Sequence, residues 1–370
     1  MNEPDVNGFS ALSNTVDEND ENKVVMLLEF AKSQPGVTSI AGYDLNILNQ
    51  AAGMTMKRAV LEILDNPLVD FSHARFQGKD GSILGTYHTT PLEHACVLGM
   101  TTMATLMMSH PRMVAARKRV ELRSPCRNPT SGAFLTTLQH RGDLTLIALQ
   151  NFQTDLDHER DMDRRTIFMH AAMEEWHHVL EYCVDRLSKS RLKIQDKNGR
   201  TALHHAAQTR NWFGTTRLLA AGADLYMEDD EGMTPAHAAA EAGSERVLRI
   251  MIENRAFGVD CIDHKKHNVL HYVAAWNLYS TAETLIEISP HQGSANDTNG
   301  RTPVDLAALF GSKAVLALLL SKILVDINAN DYAWNRLLHL AVESQVESCI
   351  GDLLSRKDLK RDAEMGYIPL

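Results

Sequence analysis

Short apolar segments recur along the second half of the chain, and they are of two kinds. One kind carries paired aliphatics at helical spacing: Leu218–Leu219, Val247–Leu248 with Met251–Ile252, Leu285–Ile286 and Leu318–Leu319. Apolar pairs with that period predict amphipathic helices. Each is preceded by a slimmer segment in which two alanines stand together, at Ala206–Ala207, Ala239–Ala240 and Ala307–Ala308. Small residues there allow close approach of a neighbouring unit, so that stacking buries the apolar stripe that no unit can bury alone. Thr201, Thr234 and Thr302 open the slim segments, where a hydroxyl can accept from an orphan backbone N–H. Pro235 and Pro303 follow with the φ of a first helical turn, and Gly222 marks a helix end. Asp196–Gly199 and Asp297–Gly300 predict hairpin turns projecting sideways.

The pattern has a fixed period. Positions 201, 234, 268, 302 and 336 are separated by 33, 34, 34 and 34 residues. The phrase Thr201-Ala202-Leu203-His204-His205-Ala206-Ala207 returns as Thr234-Pro235-Ala236-His237-Ala238-Ala239-Ala240 and Thr302-Pro303-Val304-Asp305-Leu306-Ala307-Ala308. Asn268-Val269-Leu270-His271 lies between them, and Leu337-Leu338-His339 follows. The register continues upstream at Thr166, Ala133, Thr90, Asn46 and Ser10, which makes ten units. The steps from 46 to 90 and from 90 to 133 are 44 and 43 residues, so loops are expected to be inserted at 72–88 and 110–130.

This phrase and period resemble the ankyrin-repeat family, whose signature reads T-P-L-H-x-A-A. The resemblance is strongest over residues 161–354. It implies an all-α ankyrin-repeat solenoid: a curved stack of about ten helix-turn-helix repeats with short β-hairpin fingers. The expected division is repeats 1–2 over 1–71, a loop over 72–88, repeat 3 over 89–109, a basic loop over 110–130, and repeats 4–10 over 131–361. Residues 362–370 read as the start of an eleventh repeat, so further repeats or another domain are expected beyond them.

Composition narrows the function. A net charge of −10 and a pI near 5.9 argue against nucleic acid as a partner. The longest apolar run, Ala314–Leu320, is too short to cross a bilayer. Five widely spaced cysteines fit a reducing compartment, and a cytoplasmic or nuclear site is expected. No phosphate-binding loop, nucleophile elbow or zinc-protease motif occurs, so no enzyme, cofactor or metal is expected. The acidic run 155–163 lacks the central Gly and final Glu of a calcium loop and reads as a solvated turn. His204, His237, His271 and His339 fall where the family's histidine bonds backbone near the fingers. One imidazole per repeat cannot converge on a metal.

The resemblance implies protein partners bound on the concave face. The fingertip candidates are Lys197, Asn198, Arg200, Glu231, Met233, Lys265, Lys266, His267, Thr298, Asn299, Arg301 and Trp334. Trp176, Trp212 and Trp276 fall near the turns between helices; they are either buried or an exposed ribbon along the groove. Arg117, Lys118 and Arg119 lie in a basic stretch beginning at Arg112, which reads as a solvated loop or a docking site for an acidic partner. The chain is therefore expected to be a scaffold or adaptor. The alternative is the cytoplasmic repeat portion of a larger protein: a TRP-type ion channel, an inversin-like scaffold, or a targeting module for a catalytic domain.

Overall fold

The computed structural model describes residues 15–16, 18–33, 48, 51, 54–65, 95, 100–112, 142–152, 160–186, 189–254, 260–323, 337–345 and 347–355. The chain divides into two units, Met1–Ile167 and Phe168–Leu370. Among the described residues the secondary structure is helical, with one isolated antiparallel bridge between Ile262 and Asn268.

In the first unit, α1 (Glu21–Ser33) packs on α2 (Lys57–Asp65), α2 on α3 (Thr101–Ser109), and α3 on α4 (Gly142–Phe152). Their shared interior is Val24 and Leu28, then Val60, Ile63 and Leu64, then Met103, Met107 and Met108. Side chains from one helix cap the next. Glu21 Oε1 accepts from the backbone N–H groups of Arg58 and Ala59 at 2.6 and 3.3 Å, satisfying orphan donors and placing a carboxylate at a positive helix end. At the other end of α2, Arg112 Nη1 donates to the Leu64 carbonyl at 2.8 Å. The first arginine of the basic stretch is thus a structural cap; residues 113–130, including Arg117, Lys118 and Arg119, lie outside the described residues, as does 72–88.

The second unit is two parallel rows of helices. α5 (Ile167–Met173) precedes them in the chain. After it the chain alternates: α6 (His177–Arg186) is outer, α7 (Ala202–Gln208) inner, α8 (Trp212–Ala220) outer, α9 (Pro235–Glu241) inner and α10 (Glu245–Ile252) outer. Then α11 (Val269–Ala275), α13 (Pro303–Leu309) and α15 (Leu337–Glu343) are inner, and α12 (Tyr279–Ile288), α14 (Lys313–Lys322) and α16 (Glu347–Leu354) outer. From α7 on, each inner helix packs on the next inner helix, and from α6 on each outer helix on the next outer one. Ala206, Ala207, Ala239, Ala240, Ala274, Ala307 and Ala308 are completely buried between them, as the slim-helix reading requires.

The turn between inner and outer helix is also repeated. Glu175, Arg210, Gly243, Asn277, Gly311 and Gln345 hold one place before successive outer helices, all with φ between 56 and 70°. Asn19 and Thr55 hold the same place before α1 and α2. Two units use glycine there because it alone takes positive φ without a Cβ clash. At Arg210 that strain is relieved in an Arg210→Gly variant; the expected gain in thermal unfolding is about 0.5–1 kcal/mol after the extra unfolded-chain entropy of glycine. A lower melting temperature would show that the Arg210 side chain holds the turn.

Candidate functional site

Each finger is built on one buried aspartate. Asp196, Asp229, Asp263 and Asp297 stand at the same step before successive inner helices, and their Oδ1 atoms each accept two backbone N–H bonds from the turn at 2.7–2.9 Å. The Asp N–H donates to the last carbonyl of the turn. With the turn's N–H groups drawn onto a carboxylate, the fingers are tight hairpin turns closed by a side chain, one of them flanked by the antiparallel bridge between Ile262 and Asn268. The carboxyls of Asp196 and Asp263 sit at about 2: burial alone would raise them, but donors from His205, or from His267 and Tyr272, together with the backbone N–H groups, prevail.

Consecutive fingers bond to each other through backbone: Asp230 N–H to the Asn198 carbonyl, His264 N–H to that of Glu231, and Thr298 N–H to that of Lys265, at 2.9–3.0 Å. Gly199 and Gly232 permit this approach. Their φ values are +75 and +76°, and a Cβ would lie 2.8 and 3.0 Å from the next finger's backbone nitrogen.

Behind the fingers, three buried histidines join the repeats. The Thr201 backbone N–H donates to His204 Nδ1 at 3.2 Å, capping α7, so the ring proton resides on Nε2, which donates to the Met233 carbonyl at 2.9 Å. His237 and His271 repeat the arrangement, reaching the carbonyls of His267 and Arg301 at 3.2 and 3.3 Å. Burial holds all three below the ordinary imidazole range, His204 and His271 at about 4. They are neutral connectors. Among the described residues no cluster of His, Cys, Asp and Glu is arranged to hold a metal ion, and no helix is long and apolar enough to cross a membrane.

The family model for ankyrin repeats matches residues 138–226 and 212–294 in three copies. Residues 138–294 of the chain are ankyrin repeats. It is 34% identical to human neurogenic locus notch homolog protein 1 over 125 residues, covering 34% of this chain and 5% of that protein. It is 32% identical to mouse Inversin over 170 residues, covering 43% of this chain and 16% of that one. The chain thus matches only a small part of the length of these relatives. A chain from a solved structure, a predatory endopeptidase from Bdellovibrio bacteriovorus in complex with an immunity protein, aligns with a TM-score of 0.46 at 22% identity, over 51% of this chain and 97% of that one. The matched family model describes a repeat and not a catalytic domain.

On the ankyrin fingers, Lys197, Asn198, Glu231, Lys265, Lys266, Thr298 and Asn299 are exposed, and Arg200, His267 and Arg301 half-buried. Met233 is a correction: it is 2% exposed, because its N–H and carbonyl both close the finger on Asp229 and its carbonyl also receives His204. Arg200 is braced, with Nε 3.1 Å from Asp229 Oδ2 and Nη1 3.0 Å from Gln208 Oε1. Trp334 lies outside the described residues.

Trp212 and Trp276, 42% and 58% exposed, sit at the far end of the short inner helices from the fingers, at different places in their repeats; Trp176 is half-buried. The Arg246 guanidinium lies 3.6 Å over the Trp212 ring, and the ring meets Phe213 edge-on at 6.1 Å, so Trp212 braces α8 against α10.

Sequence reasoning also missed two buried polar pairs. His205 Nε2 lies 2.9 Å from Asp196 Oδ2, and the Tyr272 hydroxyl donates to Asp263 Oδ2 at 2.7 Å. Asp161, assigned to a solvated turn, is 8% exposed and accepts from the N–H groups of Asp163 and Arg165. The signal available was the Asp at a constant step before Thr166, Thr201, Thr234, Asn268 and Thr302.

An Asp263→Asn variant keeps the shape and removes the charge. It is expected to lose roughly 2 kcal/mol at pH 7, the scale of hydrogen bonds to a charged group. The charge of Asp263 contributes fully above its unfolded value of 3.8, and that contribution drains away as pH falls towards about 2. The deficit in thermal unfolding should therefore shrink over that interval; an unchanged melting temperature at pH 7 would contradict the role of the charge.

Proposed function

We propose that this chain is a protein-interaction scaffold whose partner lies across the fingers and the adjoining inner helices. One observation carries the reading. The fingers close on buried aspartates and on each other, so their tips need none of the side chains of Asn198, Glu231, Lys265, Lys266, Thr298 or Asn299 for folding. A rigid row of exposed, chemically varied side chains is a recognition surface, because little ordering entropy is spent on binding.

The tips also alternate in charge. Lys197 is followed by Asp230 and Glu231, then by Lys265 and Lys266, then by the uncharged Thr298 and Asn299. A partner with complementary alternation fits this surface and is selected against a uniformly charged one. Trp334 and the basic residues Arg117, Lys118 and Arg119 belong to the same proposal as further contact points, as does the division of the chain into about ten repeats with two inserted loops. The 32% identity to Inversin over 43% of this chain supports a narrower second reading, in which the array serves within an inversin-like scaffold in the cytoplasm.

The test is affinity capture with quantitative mass spectrometry, comparing wild type, a Glu231→Lys/Lys265→Glu/Lys266→Glu variant, and a control Glu287→Lys change on the exposed outer side of α12. Proteins retained by wild type and the control should fall at least about tenfold on the finger variant, equivalent to about 1.4 kcal/mol. Equal recovery on all three would place the partner elsewhere.

A further inference from the structure

Two residues that stand immediately before a helix-capping position reach the aspartate of the next finger. In one finger the residue at that place is Arg200, whose Nε lies 3.1 Å from Asp229 Oδ2. In the following finger it is Met233, which brings no charge. In the one after that it is His267, whose Nε2 lies 3.2 Å from Asp297 Oδ2. One structural place is therefore filled by a permanent cation in one repeat and by an imidazole in another.

The other ring nitrogen of His267 also faces a carboxylate. Nδ1 is 3.5 Å from Asp263 Oδ2, buried, and too far for a hydrogen bond in this arrangement. A neutral imidazole has one N–H and one lone pair, whereas a carboxylate only accepts. Either neutral tautomer thus aims a lone pair at one of the two carboxylates. Only the imidazolium, with a proton on each nitrogen, suits both.

The remaining groups around the ring do not compete for that proton. Tyr272 of α11 stands edge-on at 5.3 Å and donates to Asp263. His271 of the same helix is 5.2 Å away, and His237 of α9 bonds the His267 carbonyl. Burial keeps both of those histidines below the ordinary range, and the charge of His267 depresses them further.

We propose that His267 is an acid-set latch between two consecutive fingers: protonated, it bridges Asp263 and Asp297, and deprotonated, it leaves one of them unbridged. Burial opposes its charge, but the nearby Asp263 carboxylate and the hydrogen-bonded Asp297 carboxylate together raise its pKa above the usual 6.5. The sign follows. The latch contributes fully below the unfolded value and is lost as pH rises through the higher folded value. The connectors His204, His237 and His271 act oppositely, eroding stability as pH falls below about 6.5. The two trends are therefore separable.

The test combines histidine side-chain NMR titration of the intact chain with thermal unfolding of wild type, His267→Gln and His267→Arg at about pH 6 and about pH 9. His267 should titrate above 6.5. The Gln variant should melt several degrees below wild type at the lower pH and level with it at the higher. The Arg variant, which copies the Arg200 solution, should stay latched at both. Titration of His267 at or below 6.5, or a Gln deficit equal at both pH values, would overturn the proposal. Should the Gln variant not fold, Asp297→Asn decides by titration alone: the His267 transition must move down, and an unmoved transition is contrary.

Discussion

No inner helix here can stand by itself. α7, α9, α11 and α13 have seven residues each, about half the length at which even an alanine-rich helix becomes marginal in water. Their stability must come from the repeats on either side, and the sequence is shaped by that dependence. Alanine pairs let the helices approach, capping boxes satisfy their first N–H groups, and His204, His237 and His271 use one nitrogen for the cap and the other for the next repeat. The far ends are tied as well: Asn211 Nδ2 donates to the Ala172 carbonyl and Ser312 Oγ to that of Ala275.

The same dependence creates the surface. Finger backbone is satisfied by Asp196, Asp229, Asp263, Asp297 and the neighbouring finger, so polar groups that would otherwise need water or a partner are already paired. Side chains at the tips are left to vary without cost to the stack. Histidine in place of arginine before Asn268 is a variation of another kind: half-buried between two fingers, it couples the junction of two repeats to proton concentration.

The stack was legible in the sequence because it repeats. Thr201, Thr234 and Thr302, the histidine or, after Thr302, the aspartate three places on, and the alanine pairs all occupy the positions that their spacing gives them. Exposure was less legible, since it depends on side-chain partners distant in sequence. Met233 and Arg200 occupy fingertip places, yet Met233 is buried and Arg200 is bonded to Asp229 and Gln208. Trp212 carries the composition of a binding hot spot but serves as a platform for Arg246. Asp196 and His205 lie in different elements, a turn and a helix, and only folding brings them to 2.9 Å.

Amide hydrogen exchange of a His237→Ala variant tests most directly whether neighbouring repeats hold each other up. Protection should fall by roughly one to two orders of magnitude, for a loss of about 1–3 kcal/mol, in α7 and α11 as well as in α9. Loss of protection confined to α9 (Pro235–Glu241), with both neighbours unchanged, would contradict the mutual support of the stack.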